Sequence, residues 1–293
     1  MPSPSRRRNA ALAIGKNHRA GAICCWLDPG PQSSSACTVL LFKRILDFQK
    51  TEGGARDKRG AKRYAVGARF PLKAKITLSA RDGEGKLLPP SKSLPMDWGG
   101  QMLNLSSSGV SIRLHPAAIA SNGESCSVKL ELDNKLFELD ATVANYRTGQ
   151  QYVSCGVVLK FPDAYSRKAY LQLMEPVVIC STLEPVSGRV KQDQPGLDKE
   201  QYEGESDTML SVWRDGSGKN PKFFEMLVHD YCIRGSTETP GLNVSYREGE
   251  KTRKVAISPD HQAEVRQLFL FIVQNLDKGV PADVRKFLEL FSS

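Results

Sequence analysis

The sequence predicts a mainly β protein, an antiparallel barrel followed by a helix, with a small α+β unit behind it. Three observations carry this. Six short segments between residues 72 and 161 are β-branched or alternate apolar with polar residues, and turn-forming residues separate them. A helical stretch at 163–175 follows, with Asp163 placed as its N-cap and Pro176 placed to stop it. A polar, mostly acidic stretch with Gly188, Pro195, Gly196 and Gly204 then separates this block from a second set of patterns.

Taken in order, residues 1–38 mix Arg, Pro, Gly, Ser and Cys without periodicity and read as a disordered tail or as the product of a misassigned start codon. Val39, Leu40, Phe42, Ile45, Leu46 and Phe48 then place apolar side chains at helical spacing, predicting a short amphipathic helix over 38–49 that Gly53-Gly54 ends. Residues 1–54 are therefore a basic, largely disordered tail with one short helix.

The barrel domain is assigned to 55–182, with strands at 72–78, 100–105, 109–114, 125–132, 137–146 and 152–161. Several short strands in one compact stretch imply closure, which removes exposed strand edges. Residues 79–100 make the first hairpin longer than a barrel needs. Two readings stay open for it: a surface insertion with Trp98 over the barrel end, or a partner-facing loop.

Residues 183–207 lack an apolar face and read as an acidic linker. The C-terminal unit, 208–293, shows a hairpin pattern at 242–246 and 254–257, a helix over 260–276 carrying Val265, Leu268, Phe269, Ile272 and Val273 at helical spacing, and a second helix over 282–291 introduced by Pro281.

Charge is unevenly placed. Residues 1–75 hold 16 Lys/Arg against 4 Asp/Glu, whereas the rest holds 25 against 28, so the net +9 of the chain lies in its first quarter. Such a bias calls for an anionic partner: nucleotide, nucleic acid or membrane surface. No apolar run, 39–42 included, approaches the ~20 residues of a membrane span. The seven cysteines are an odd number without a CxxC pair and are read as free thiols in a reducing compartment, so the chain is expected in the cytoplasm. The four histidines lie far apart in sequence, and no metal site is expected. No GxSxG, P-loop, HExxH or complete GxGxxG is present, and no catalysis is assigned. His229-Asp230 and Cys232 are the nearest to a nucleophile-and-base pair, but Phe223, Phe224 and Tyr231 around them point to core packing.

Two motifs remain: Arg59-Gly-Ala-Lys-Arg63, and Asn104-Leu-Ser-Ser-Ser-Gly109 about forty residues later. Either alone is a chance basic cluster or a generic turn. In this order and framed by strands, they resemble the PilZ family, whose signatures are RxxxR in a loop before the first strand and [D/N]xSxxG between the second and third. Leu114-His-Pro116, Gly123 and Gly156-Val-Val-Leu-Lys-Phe161 fit the same pattern, and the resemblance covers 55 to about 176.

The resemblance implies a PilZ-type barrel acting as a cyclic di-GMP receptor, with no cofactor beyond that ligand. It implies that Arg59, Arg63, Asn104, Ser106 and Gly109 bind the dinucleotide, with support from Arg56, Lys58, Lys62 and Gly156. The chemistry suits the ligand: a guanidinium fork pairs with phosphate oxygens or the N7/O6 edge of guanine and stacks on bases. Asn104 replaces the aspartate often found there, which removes a carboxylate able to accept from guanine. Motility, exopolysaccharide and biofilm outputs are implied, through an unidentified protein partner at the C-terminal unit or the 79–100 loop. Two alternatives stay open: a PilZ-fold adaptor without nucleotide, and a basic chain binding RNA or anionic membrane without specific nucleic-acid readout.

Overall fold

Alternating inward and outward side chains account for most of the first sheet. The computed structural model describes residues 41–42, 61–82, 84–88, 95–248 and 253–292. Within it β2 (Lys73–Leu78) buries Ala74, Ile76 and Leu78, β5 (Ser125–Leu132) buries Val128, Leu130 and Leu132, and β7 (Val153–Lys160) buries every second residue from Val153. With β3 (Met96–Ser106), β4 (Gly109–Leu114) and β6 (Lys135–Thr148) these strands run in the antiparallel order β3-β2-β5-β6-β7-β4, and β4 pairs back to β3, closing a six-stranded barrel. Asp133 and Asn134 take positive φ in the β5–β6 turn, as a two-residue hairpin loop requires.

The long β3 organises the region of the two motifs. One of its edges pairs with β4; the other pairs with β2 along Met96–Gln101 and then with the three-residue β1 (Arg63–Ala65) along Asn104–Ser106. The strand is longer than the sequence pattern predicts because Trp98 lies opposite Ile76 and stacks on His115, ring centroids 6.5 Å apart.

α1 (Ala164–Thr182) starts at the expected cap, where the Asp163 carboxylate accepts from the Ser166 amide at 2.6 Å. Its end departs from expectation: Pro176 lies inside the helix and does not stop it. Proline there removes one backbone bond, but the next turn buries Val177, Ile179 and Cys180, and that packing outweighs the loss.

A second correction concerns the segment read as a linker. Residues 184–185 form β8 (Glu184–Pro185), and the polar stretch after it contains β9 (Leu197–Gly204), hydrogen-bonded along its whole length to β10 (Thr208–Asp215). A strand whose outer edge is mostly without a strand partner needs no apolar face when its side chains cover a neighbour. Tyr202 turns inward, Lys199 lies 4.7 Å over the Trp213 ring, and Glu200 accepts from buried Arg214.

The C-terminal part is also larger in strands than the single hairpin read from the sequence. β11 (Pro221–Val228), β12 (Tyr231–Ser236), β13 (Asn243–Glu248) and β14 (Arg253–Ala256) extend β8–β10 into a seven-stranded antiparallel meander. α2 (Pro259–Asn275) and α3 (Ala282–Glu289) cover it, with Phe224 stacked on Phe269 at 5.5 Å and edge-on to Phe287 at 6.0 Å. One buried apolar cluster includes side chains of the barrel, α1, the second sheet and α2. The predicted 38–49 helix, apart from residues 41–42, lies outside the described residues, as does most of the 1–54 tail.

Candidate functional site

Strand register brings the two motifs together. Arg63 lies opposite Ser106, and Ala65 opposite Asn104, so these four side chains share one face of the sheet. Across β3, Ser106 faces Gly109 and Asn104 faces Ser111; on β7, Gly109 faces Val158 and Ser111 faces Gly156. Gly156 in turn lies opposite Asn145 of β6. The outer face therefore carries a row of small or polar residues, Asn104, Ser111, Gly156 and Asn145, beside the row that begins with Arg63. Five strands at ~4.8 Å spacing make this platform roughly 19 Å wide.

Each position has a local reason. Gly109 lies tight against the β7 main chain: a Cβ there would sit 2.3 Å from the Val157 carbonyl oxygen, so only glycine fits. Ser106 is buried and its hydroxyl donates to the Gly109 carbonyl at 3.2 Å, which closes the turn and leaves its lone pairs free to accept. Beneath the turn, fully buried Tyr170 of α1 donates to the carbonyls of Ser106 (2.8 Å) and Gly109 (3.1 Å). Burial pushes the Tyr170 phenol far above its usual range and keeps it a donor. Gly156 meets no such restriction; a Cβ there would find only ordinary contacts at 3.6 and 3.7 Å.

Arg63 is exposed and, among the described residues, has no ion-pair partner. Lys62 and Tyr64 reach the opposite way. Both contact the Glu205 carboxylate in the β9–β10 turn, the Tyr64 hydroxyl donating to it at 2.7 Å. Burial and the Glu205 carboxylate push the Tyr64 phenol far up. Burial alone would raise the Glu205 carboxyl, but the bonds from Lys62 and Tyr64 hold it below its ordinary value. Behind β1 opens a cleft of about 850 Å³, lined by Lys62–Ala65, the end of α1, β8 and the β9–β10 turn. Arg56, Lys58 and Arg59 lie outside the described residues. Among the described residues no cluster of His, Cys, Asp or Glu is arranged to hold a metal, and no helix is long and apolar enough to cross a membrane.

Residues 57–175 match the family model of the PilZ domain. The chain contains a PilZ domain. The match ends before the helical turns that follow Pro176, and the second sheet lies outside it. Solved structures similar to this chain include the PilZ domain of YcgR from Escherichia coli with c-di-GMP, at 10% identity over 41% of this chain and 92% of that one, TM-score 0.30. They also include the PilZ domain of CeSA from a cellulose-synthesizing bacterium, at 13% identity over 38% and 93%, TM-score 0.26. The K. pneumonia MrkH–c-di-GMP complex is similar at 14% identity over 42% of this chain and 52% of that one, TM-score 0.29. No curated protein matches the chain.

Sequence reasoning missed Tyr170 and Glu205. Tyr170 had a signal, an aromatic on the buried face of the helix after the PilZ barrel. Glu205 had none, because it belongs to a strand pair that the acidic composition concealed.

Proposed function

We propose that the chain is a receptor for cyclic di-GMP, in which Arg59 and Arg63 grip the dinucleotide against the outer barrel face formed by Asn104, Ser106, Gly109 and Gly156. The observation that carries this reading is the β1–β3 register, which sets Arg63 directly opposite Ser106 with Gly109 next in the row. Phosphodiester oxygens suit the Arg63 guanidinium, and the amides of Asn104 and the hydroxyl of Ser111 offer both donors and acceptors to a guanine edge. Lys62, Arg56 and Lys58 add positive field. The PilZ match over 57–175 supports the ligand class.

The receptor acts in the cytoplasm without a reaction of its own, and its output passes to a protein partner through the C-terminal unit or the 79–100 loop. Motility, exopolysaccharide synthesis and biofilm formation are the processes this places under control. Calorimetric titration with cyclic di-GMP tests the reading, with GTP and cyclic di-AMP as controls. Saturable binding selective for cyclic di-GMP, abolished in the Arg59→Ala/Arg63→Ala variant while its unfolding midpoint is retained, is the expected result. Folded wild-type protein that takes up no nucleotide would instead mark an adaptor working through protein contacts alone.

A further inference from the structure

β1 is only three residues long, and its partner side chains on the two faces belong to different parts of the chain. Arg63 faces the outer platform, whereas Lys62 and Tyr64, the residues on either side of it, reach back to Glu205. Glu205 is itself fixed in place. Its amide donates to the Thr182 hydroxyl at the end of α1 (3.0 Å), and Ser206 and Asp207 beside it hold the positive φ of a tight β9–β10 turn. The neighbouring Gly204 lies against the same helix end, where an added Cβ would meet Thr182 Oγ1 at 3.2 Å.

Resting on the receptor reading, we propose that Glu205 is a positioning residue of the nucleotide site, a clamp through which the second sheet holds β1 from behind so that Arg63 faces the ligand. Two physical effects of Glu205 oppose each other. Its negative charge repels an anionic ligand, but the Lys62 and Glu205 side chains are 58% and 43% exposed, so water and salt screen that repulsion. Its anchoring of β1 removes conformational freedom that the ligand would otherwise have to quench, a cost that grows with each residue fixed. A strand with three ladder residues is short enough for the second effect to win. Coupling of this kind is reciprocal: a ligand that orders β1 must also steady the β9–β10 turn.

The sign of one substitution decides between the two effects. In the full chain, Glu205→Gln keeps an acceptor for Tyr64 but loses the ion pair, and Tyr64→Phe loses the hydroxyl alone; both are expected to weaken cyclic di-GMP binding by about threefold to tenfold in calorimetry. The double variant is expected to lose less than the product of the two, as residues of one clamp do. Hydrogen exchange adds a readout that a merely structural role would not move: ligand slows exchange of the 204–208 amides in the wild type and not in Glu205→Gln. Equal or tighter binding by both variants, or turn amides indifferent to ligand in the wild type, overturns the clamp and leaves the receptor intact. Wild-type protein that binds no nucleotide overturns both.

Discussion

Replacing Gly109 by alanine separates two roles that a motif glycine can play, approach to the ligand and closure of the barrel. The added Cβ would lie 2.3 Å from the Val157 carbonyl oxygen and 3.3 Å from its carbon, roughly 1 Å inside van der Waals contact. The obstacle is main chain and cannot rotate away, so β4 and β7 must separate at the Gly109–Val158 pair. Overpacking of this size costs about 1–3 kcal/mol, and one or two weakened ladder bonds add about 1 kcal/mol each, for a total of about 2–5 kcal/mol. Urea unfolding of the full chain measures it, and the thermal midpoint should fall by about 5–15 °C. Gly156→Ala is the internal control: its Cβ meets nothing closer than 3.6 Å, and its unfolding free energy should stay within about 0.5 kcal/mol of wild type. Wild-type stability of Gly109→Ala would refute the steric argument and return the residue to a purely ligand-facing role.

Asn275 is buried on α2, its Oδ1 accepting from the Gly67 amide at 2.6 Å and its Nδ2 facing Cys180, so Asn275→Ala should cost about 1–3 kcal/mol in urea unfolding by leaving the Gly67 donor unpaired. Tyr170→Phe removes one hydroxyl that serves two carbonyls of the NxSxxG turn and should cost about 1–2 kcal/mol by the same assay, with weaker nucleotide binding if the turn shapes the site. Burial disfavours the charged form of His229, but the Glu175 carboxylate at 2.9 Å outweighs it, with Asp207 and Asp230 adding to the rise in pKa. A raised native pKa gives stability that is complete below the ordinary histidine value near 6.5 and is lost as pH climbs through the native value. The urea midpoint of wild type should therefore fall relative to His229→Asn as pH rises above the ordinary histidine value and through the raised native one.

The barrel was legible because its strands bury alternate residues: 109–114 and 125–132 agree to the residue with β4 and β5, since Val110, Ile112 and Leu114, and Val128, Leu130 and Leu132, leave one register. Its motifs were legible as pairs, but nothing local says that Arg63 meets Ser106; that contact is a product of β3 extending past β2. The second sheet was hidden for opposite reasons at its two ends. β9 is polar because, beyond its two-residue pairing with β8, its outer edge has no strand partner, whereas β10 buries Leu210 to Trp213 consecutively and breaks the alternation that marks a half-buried strand. The β11–β12 turn carries no glycine or asparagine, since His229 itself takes φ of 52° and is held there by Glu175. Pro176 misled for a related reason: a local stop signal yields when the turn beyond it is wholly buried.

The charge asymmetry of the chain takes on meaning once its contacts are known. Among the described residues, the polar contacts between the basic first quarter and the C-terminal part fall in one short span: Lys62 on Glu205, Gly67 on Asn275, and Arg69 on Glu289 at 2.8 Å. All three contacts fall within eight residues that include β1, and in each the C-terminal part supplies a carboxylate or an amide oxygen. Exposed pairs such as Arg69–Glu289 add little stability singly, so their common location says more about coupling than about strength. β1 is too short to be held by its ladder to β3 alone, and it is braced from behind by the second sheet and α2 while Arg63 faces out. Anything that binds Arg63 therefore changes the freedom of a segment to which Glu205, Asn275 and Glu289 are already committed. On the receptor reading proposed above, ligand bound at Arg63 would be felt in the C-terminal part through the ordering of this segment.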